Sequence, residues 1–135
     1  MIKVTREDKF IVAVYDEEWD ATDFGVCCAE TIKLLDQADQ PVYYIVQTKT
    51  NPTNLNVIKA VTVYRKEIER IYNHPNKLRP TAFILTSFMV PLVRAAFRLP
   101  WQRNYSYTFA GSVEEAKTLL LKIESEQHDN GNKRG

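Results

Sequence analysis

The order of apolar segments predicts an α/β fold built on one mixed β-sheet, and three observations carry it. Two β-rich runs, 2–5 (IKVT) and 10–15 (FIVAVY), are separated only by the charged stretch REDK, the pattern of an antiparallel hairpin. Two further runs, 42–47 (VYYIVQ) and 81–87 (TAFILTS), are short and nearly continuously apolar, as strands covered on both faces are. The segments between and after them have helical periodicity, giving the order β-β-α-β-α-β-α-β-α. Strands that alternate with helices pair in parallel through right-handed crossovers. The expected domain is therefore a hairpin followed by parallel strands, covered by about four helices.

Taken in order, the hairpin leads through DEEWD to Asp20, an N-cap residue for a helix running to about Gln37. Phe24, Cys27, Cys28, Ile32 and Leu35 form its apolar stripe. After the strand at 42–47, the loop TKTNPTN precedes a second helix from about Asn54 to Tyr72. Its stripe is Leu55, Ile58, Val61, Ile68 and Tyr72, and NHPNKLRP ends it. The strand at 81–86 is followed by MVPLVRAAFRLPWQR, where Pro91 suits the first turn of a short helix and Pro100 the residue beyond its end. Tyr105, Tyr107 and Phe109 alternate with polar residues, as in an edge strand. Ser112 and Glu115 make a capping box for a last helix carrying Ala116, Leu119, Leu120 and Ile123. Residues 1–126 are expected to form one domain, with its core at Ile11, Ala13, Ile32, Leu35, Tyr44, Val46, Ile68, Phe83, Leu85 and Leu120. Residues 127–135 are expected to be a disordered tail.

Composition narrows the function classes. A chain of 135 residues closes one substantial core. A formal net charge of +1 argues against a dedicated nucleic-acid binder, which carries a basic excess. No apolar run approaches the roughly 20 residues that span a bilayer, and no charged-then-apolar leader precedes the first strand, so the expectation is a cytoplasmic protein without stable membrane insertion. Cys27 and Cys28 are adjacent, too divergent in direction on a helix to form a disulfide with each other, and read as small buried thiols. There is no CxxC or His cluster for a metal, and the four glycines form no phosphate loop. His74, in NHPN, suits a helix-ending turn. The acidic cluster Asp16, Glu17, Glu18 and Asp20 suits a solvated turn near a helix N-terminus. No cofactor or metal is expected, and enzyme is the weakest class.

The segments YDEEWDATDFGVCCAETIKLL, PVYYIVQ, HPN and YTFAGSVEEAKTLL, in this order over most of residues 2–124, resemble the STAS-like families, which include the SpoIIAA-like proteins and the anti-sigma-factor-antagonist domains. The resemblance implies a mixed sheet with packed helices and, as a rule, no catalysis. Members bind partner proteins or are thought to bind small or lipidic ligands. The antagonist branch carries a phosphorylated serine or threonine in a D-x-S-S/T-G-type segment. Here that place holds QTKTNPTNLN, which lacks the Asp and the Gly.

Two functions follow as expectations. The first is a non-catalytic interaction or regulatory module that binds a protein partner or self-associates. The second is a binder of a small amphiphilic or lipid-like anionic ligand at the rim formed by strand ends and the third helix. In open α/β sheets ligands favour the carboxyl ends of strands, which selects Thr48, Thr50, Asn51 and Thr53, although an ordinary loop with a helix cap also accounts for them. Arg94, Arg98, Trp101 and Arg103 complete the candidate set, because arginine mixed with large apolar side chains is typical of interface hot spots and membrane-surface helices. Met89, Val90, Leu99 and Trp101 are expected to be partly left outside by so short a helix.

Overall fold

The computed structural model describes residues 2–52 and 57–134, with side chains through residue 126. The hairpin pairs β1 (Ile2–Glu7) with β2 (Phe10–Tyr15), Glu7 opposite Phe10, so the turn is only Asp8 and Lys9. Asp8 sits at φ 55°, a left-handed conformation that aspartate tolerates better than most residues. Parallel pairing then adds β3 (Tyr43–Thr48), β4 (Thr81–Ile84) and β5 (Tyr107–Phe109) in chain order, so β1 and β5 are the edges.

Strand order equal to chain order has a consequence for the helices. Right-handed crossovers that always step in the same direction put every crossover helix on the same face. That face presents Ile11, Ala13, Tyr15, Tyr44, Val46 and Phe83 to α1 (Ala21–Gln37), α2 (Val57–Val63), α3 (Arg65–Tyr72) and α4 (Met89–Ala96). The opposite face, with Phe10, Val12, Tyr43, Ile45, Ala82 and Ile84, is left to α5 (Val113–Arg134), which follows the last strand and docks through Ala116 and Leu120. Central strands apolar on both sides are therefore required, as the runs at 42–47 and 81–84 show.

Helix ends follow the local chemistry. Asp20 caps α1 by accepting from the Asp23 N–H at 3.0 Å, and the Asp23 carboxylate accepts in return from the Asp20 N–H. At α5 the Ser112 hydroxyl accepts from the Glu115 N–H at 3.1 Å, whereas Glu115 reaches back one residue further, to the N–H of Gly111. The C-terminus of α1 is closed from a distance: Asn76 Nδ2 donates to the carbonyls of Leu35 at 3.0 Å and Ala38 at 3.3 Å. His74 supports this clamp. Its Nδ1 accepts from the Asn76 N–H, which leaves Nε2 to donate to Asp36 at 2.8 Å. Asn76→Ala is expected to cost about 1–3 kcal/mol, because part-buried carbonyls lose their donor; urea unfolding measures it.

Three elements differ from the expectation. The second helix is broken at Tyr64 rather than continuous. The break falls where the Tyr64 ring packs edge-on against Phe24, centroids 5.7 Å apart, and over Gly25, where a Cβ would come within 2.5 Å of that ring. Strand β4 stops at Ile84, so Leu85 is half-buried rather than core. The flank around α4 is as expected, since Met89 is buried but Val90, Leu99 and Trp101 are only half-buried. Of the expected helical stripe, Leu55 lies outside the described residues. Helix α5 extends through residues 127–134, past the expected domain end.

Cys27 and Cys28 are free and buried under α1, and burial raises both thiols above their ordinary pKa. A thiolate is the reactive form. Labelling of the native protein by a thiol reagent is expected to be slow and to reach two groups only on unfolding; rapid native labelling of either cysteine would contradict the packing.

Candidate functional site

A partly open apolar pocket enters the core under the crossover helices. Between the sheet and α2, α3 and α4 lies a cavity of about 110 Å³. Its floor is Tyr44, Val46 and Phe83 on the central strands, and its roof includes Ala60, Val61, Ile68, Val93 and Phe97. Aromatic rings form one end. Phe97 meets Phe83 and Tyr72 edge-on at 5.7 and 5.9 Å and stacks on Tyr107 at 4.2 Å. Trp19, edge-on to Tyr15 at 4.6 Å, forms part of another wall.

Polar groups on the lining are few and mostly engaged. The Tyr44 hydroxyl lies 3.1 Å from the Thr31 hydroxyl, which itself donates to the Cys27 carbonyl. Gln102, buried, donates through Nε2 to the Ala96 carbonyl at 2.8 Å and so closes the end of α4. Burial raises the hydroxyl pKa of Tyr15, Tyr44 and Tyr72 and the thiol pKa of Cys28, which keeps these groups neutral near pH 7. Chemically this is an apolar pocket with hydroxyls at its edge. No general base–nucleophile pair is assembled on its lining among the described residues.

The sequence-selected residues do not gather in one site. Thr48, Thr50 and Asn51 do meet at the carboxyl ends of β3 and β4. There the Thr48 hydroxyl accepts from the Thr86 N–H at 3.3 Å, and the Thr86 hydroxyl donates to Asn51 Oδ1 at 2.7 Å. The Thr50 hydroxyl donates to the Glu17 carbonyl, and the Thr50 carbonyl accepts from the Trp19 indole at 3.2 Å. Thr48 is buried and belongs to the cavity wall, which makes it a poor target for a kinase. Thr53 lies outside the described residues. Trp101 and Arg103 sit at the other end of the sheet, in the connection before β5, with Trp101 beneath the Arg65 guanidinium at 5.1 Å. Arg94 lies over the Phe109 ring at 5.2 Å, and Arg98 is exposed; neither lines the cavity.

No known protein family, curated protein or solved structure matches this chain. The site therefore has to be argued from its own geometry. Among the described residues, no helix is long and apolar enough to cross a membrane.

Sequence reasoning missed Trp19, Tyr44, Phe97 and Gln102 as pocket residues. Trp19 had a signal, a single large apolar residue set among the acids of DEEWD. Tyr44 and Phe97 looked like ordinary apolar packing positions and Gln102 like a polar loop residue, because a pocket is formed between distant segments and leaves no local pattern.

Proposed function

We propose that this protein is a non-catalytic binding module of STAS-like type that holds a small, largely apolar ligand in the cavity between its sheet and α2–α4. The observation that carries this reading is the cavity itself. The space is about 110 Å³, lined almost wholly by apolar side chains and partly open to solvent, so an apolar group that enters it is taken out of water. An apolar cavity of about 150 Å³ is known to accept benzene, so a single ring or a chain of a few carbons is the matching size. Thr48 and the cavity tyrosines give such a ligand one polar end to address. This refines the amphiphilic-ligand expectation by replacing the arginines with hydroxyls as the polar contacts. Two buried free thiols suit a reducing compartment, which fits a cytoplasmic location.

The test is an NMR titration with indole and with hexanol. Saturable shifts at Tyr44, Phe83 and Phe97, absent in the cavity-filling variant Ala60→Met, support the reading. Unsaturable shifts spread over the surface overturn it. The alternative function, protein binding or self-association, draws its support from Val26, Val63 and Phe88, each more than half exposed at 56%, 64% and 54%. Sedimentation across a concentration series tests it: a mass that rises with concentration and falls back in Phe88→Ser supports association, and one constant mass opposes it.

A further inference from the structure

A second cleft opens at the amino ends of β4 and β5, the end of the sheet opposite Thr48. Its volume is about 310 Å³, and its character is the reverse of the cavity's. Tyr72 and Tyr105 stack at 4.7 Å along one side, and the Tyr105 hydroxyl accepts from Asn73 Nδ2 at 3.2 Å. Trp101, Asn104 and Ser106 bring further N–H and O–H groups from the connection before β5. Lys77 and Arg79 supply two cations from the loop before β4.

Charge balance is the informative feature. No carboxylate lines this cleft among the described residues. Nearby acids are committed elsewhere: Asp36 to His74 and Arg70, and Glu69 to Arg65. Lys77 is held in place by its backbone, which bridges to Val42, and its ammonium donates to the Leu78 carbonyl at 3.2 Å and lies 4.6 Å from the Tyr72 ring centre. A part-buried cation normally has an anionic partner. Here it has a ring face, one carbonyl and a second cation.

We propose that this cleft is a binding site for a small phosphomonoester-type oxyanion, with Lys77 and Arg79 as its charge partners and the amide and hydroxyl donors around them completing its coordination. The cleft has room for an organic group beyond the phosphate, and Trp101 offers that group an aromatic wall. Lys77 supports this independently: burial, with the Arg79 charge second, lowers its pKa to about 7. The charged or titratable groups around it are Arg79 and His74 on its own loop, Tyr72 on α3, Tyr105 before β5, and Arg65 over Trp101. A dianion placed beside Lys77 favours its charged form, so binding takes up a proton whenever the free lysine is neutral. Phosphomonoesters are already dianionic above about pH 7. Affinity is therefore expected to fall as pH rises from 7 to 9, by up to about tenfold per unit while the bound lysine stays charged.

Calorimetric titration with phenyl phosphate and with inorganic phosphate, at pH 7 and pH 9, tests the proposal. The expected result is saturable binding, tighter for phenyl phosphate, weakened at least tenfold at pH 9, and lost at least tenfold with a flat pH profile in Lys77→Met. Modification with limiting acetic anhydride at pH 7.5, followed by peptide mapping, gives a second readout on the unaltered chain. Lys77 should be the first lysine acetylated, and phenyl phosphate should protect it. No saturable binding at millimolar phosphate, an unchanged pH profile in Lys77→Met, or acetylation of Lys77 that phenyl phosphate does not slow would each overturn the assignment.

Discussion

Leu120→Ala is expected to lower the unfolding free energy by about 2–5 kcal/mol, measured by urea denaturation. Leu120 is 0% exposed and sits with Ala116 against Ala82, Ile84 and Ile45. The size of the effect comes from topology. Crossover helices cover one face of the sheet, so among the described residues α5 is the one helix on the other face, and Leu120 is the largest fully buried side chain it contributes there. No neighbouring helix can shift to fill the gap. The adjacent Leu121, 41% exposed, serves as the control, and Leu121→Ala should stay within about 0.5 kcal/mol. Equal effects at the two positions would mean that α5 is rotated from the described orientation.

The contrast between these two leucines shows what was legible beforehand. Ala116 and Leu120 belong to an apolar stripe at helical spacing, so the buried face of α5 could be read from local pattern. That α5 is the helix covering that side of the sheet could not, because it depends on strand order, which is a property of the whole chain. The same division runs through the fold. Asp20, and Ser112 with Glu115, announce helix starts because capping is chemistry within four residues; the return bond from Asp23 to Asp20 shows itself only in the fold. The break at Tyr64 has no local cause; it coincides with the packing of Tyr64 on Gly25, thirty-nine positions away.

The candidate site divides in the same way. Thr48, Thr50 and Asn51 were found because strand ends are a reasonable place to look, and they do converge. Arg94 was chosen for its company; it is exposed, and its guanidinium lies over Phe109 of an edge strand. Lys77 was passed over inside NHPNKLRP, which reads as a wet, helix-ending loop. Its unusual state arises from burial and the Arg79 charge after folding, with no acid lining the cleft among the described residues. A sequence displays the charges it contains more readily than the ones a site lacks.

Phe83→Ala is expected to be the most damaging single truncation around the cavity, at about 3–5 kcal/mol. Phe83 is buried on β4, with edge-on contacts to Phe97 and Tyr107, and forms part of the cavity floor. Truncation removes those ring contacts and enlarges a void that already exists, so little collapse is available to reduce the cost. Leu85→Ala, half-buried just past the end of β4, should cost less than half as much. The enlarged void makes a further measurement possible. A ligand that binds only the folded state stabilises it by RT ln(1 + [L]/Kd), about 2.7 kcal/mol at one hundred times Kd. Indole at saturating concentration should therefore restore a substantial part of what Phe83→Ala loses, and should raise the thermal midpoint of the variant more than that of the parent chain. Loss of stability without rescue would show that the helices α2–α4 close over the gap. In that case the space beneath them is soft packing, and the apolar-ligand reading falls with it.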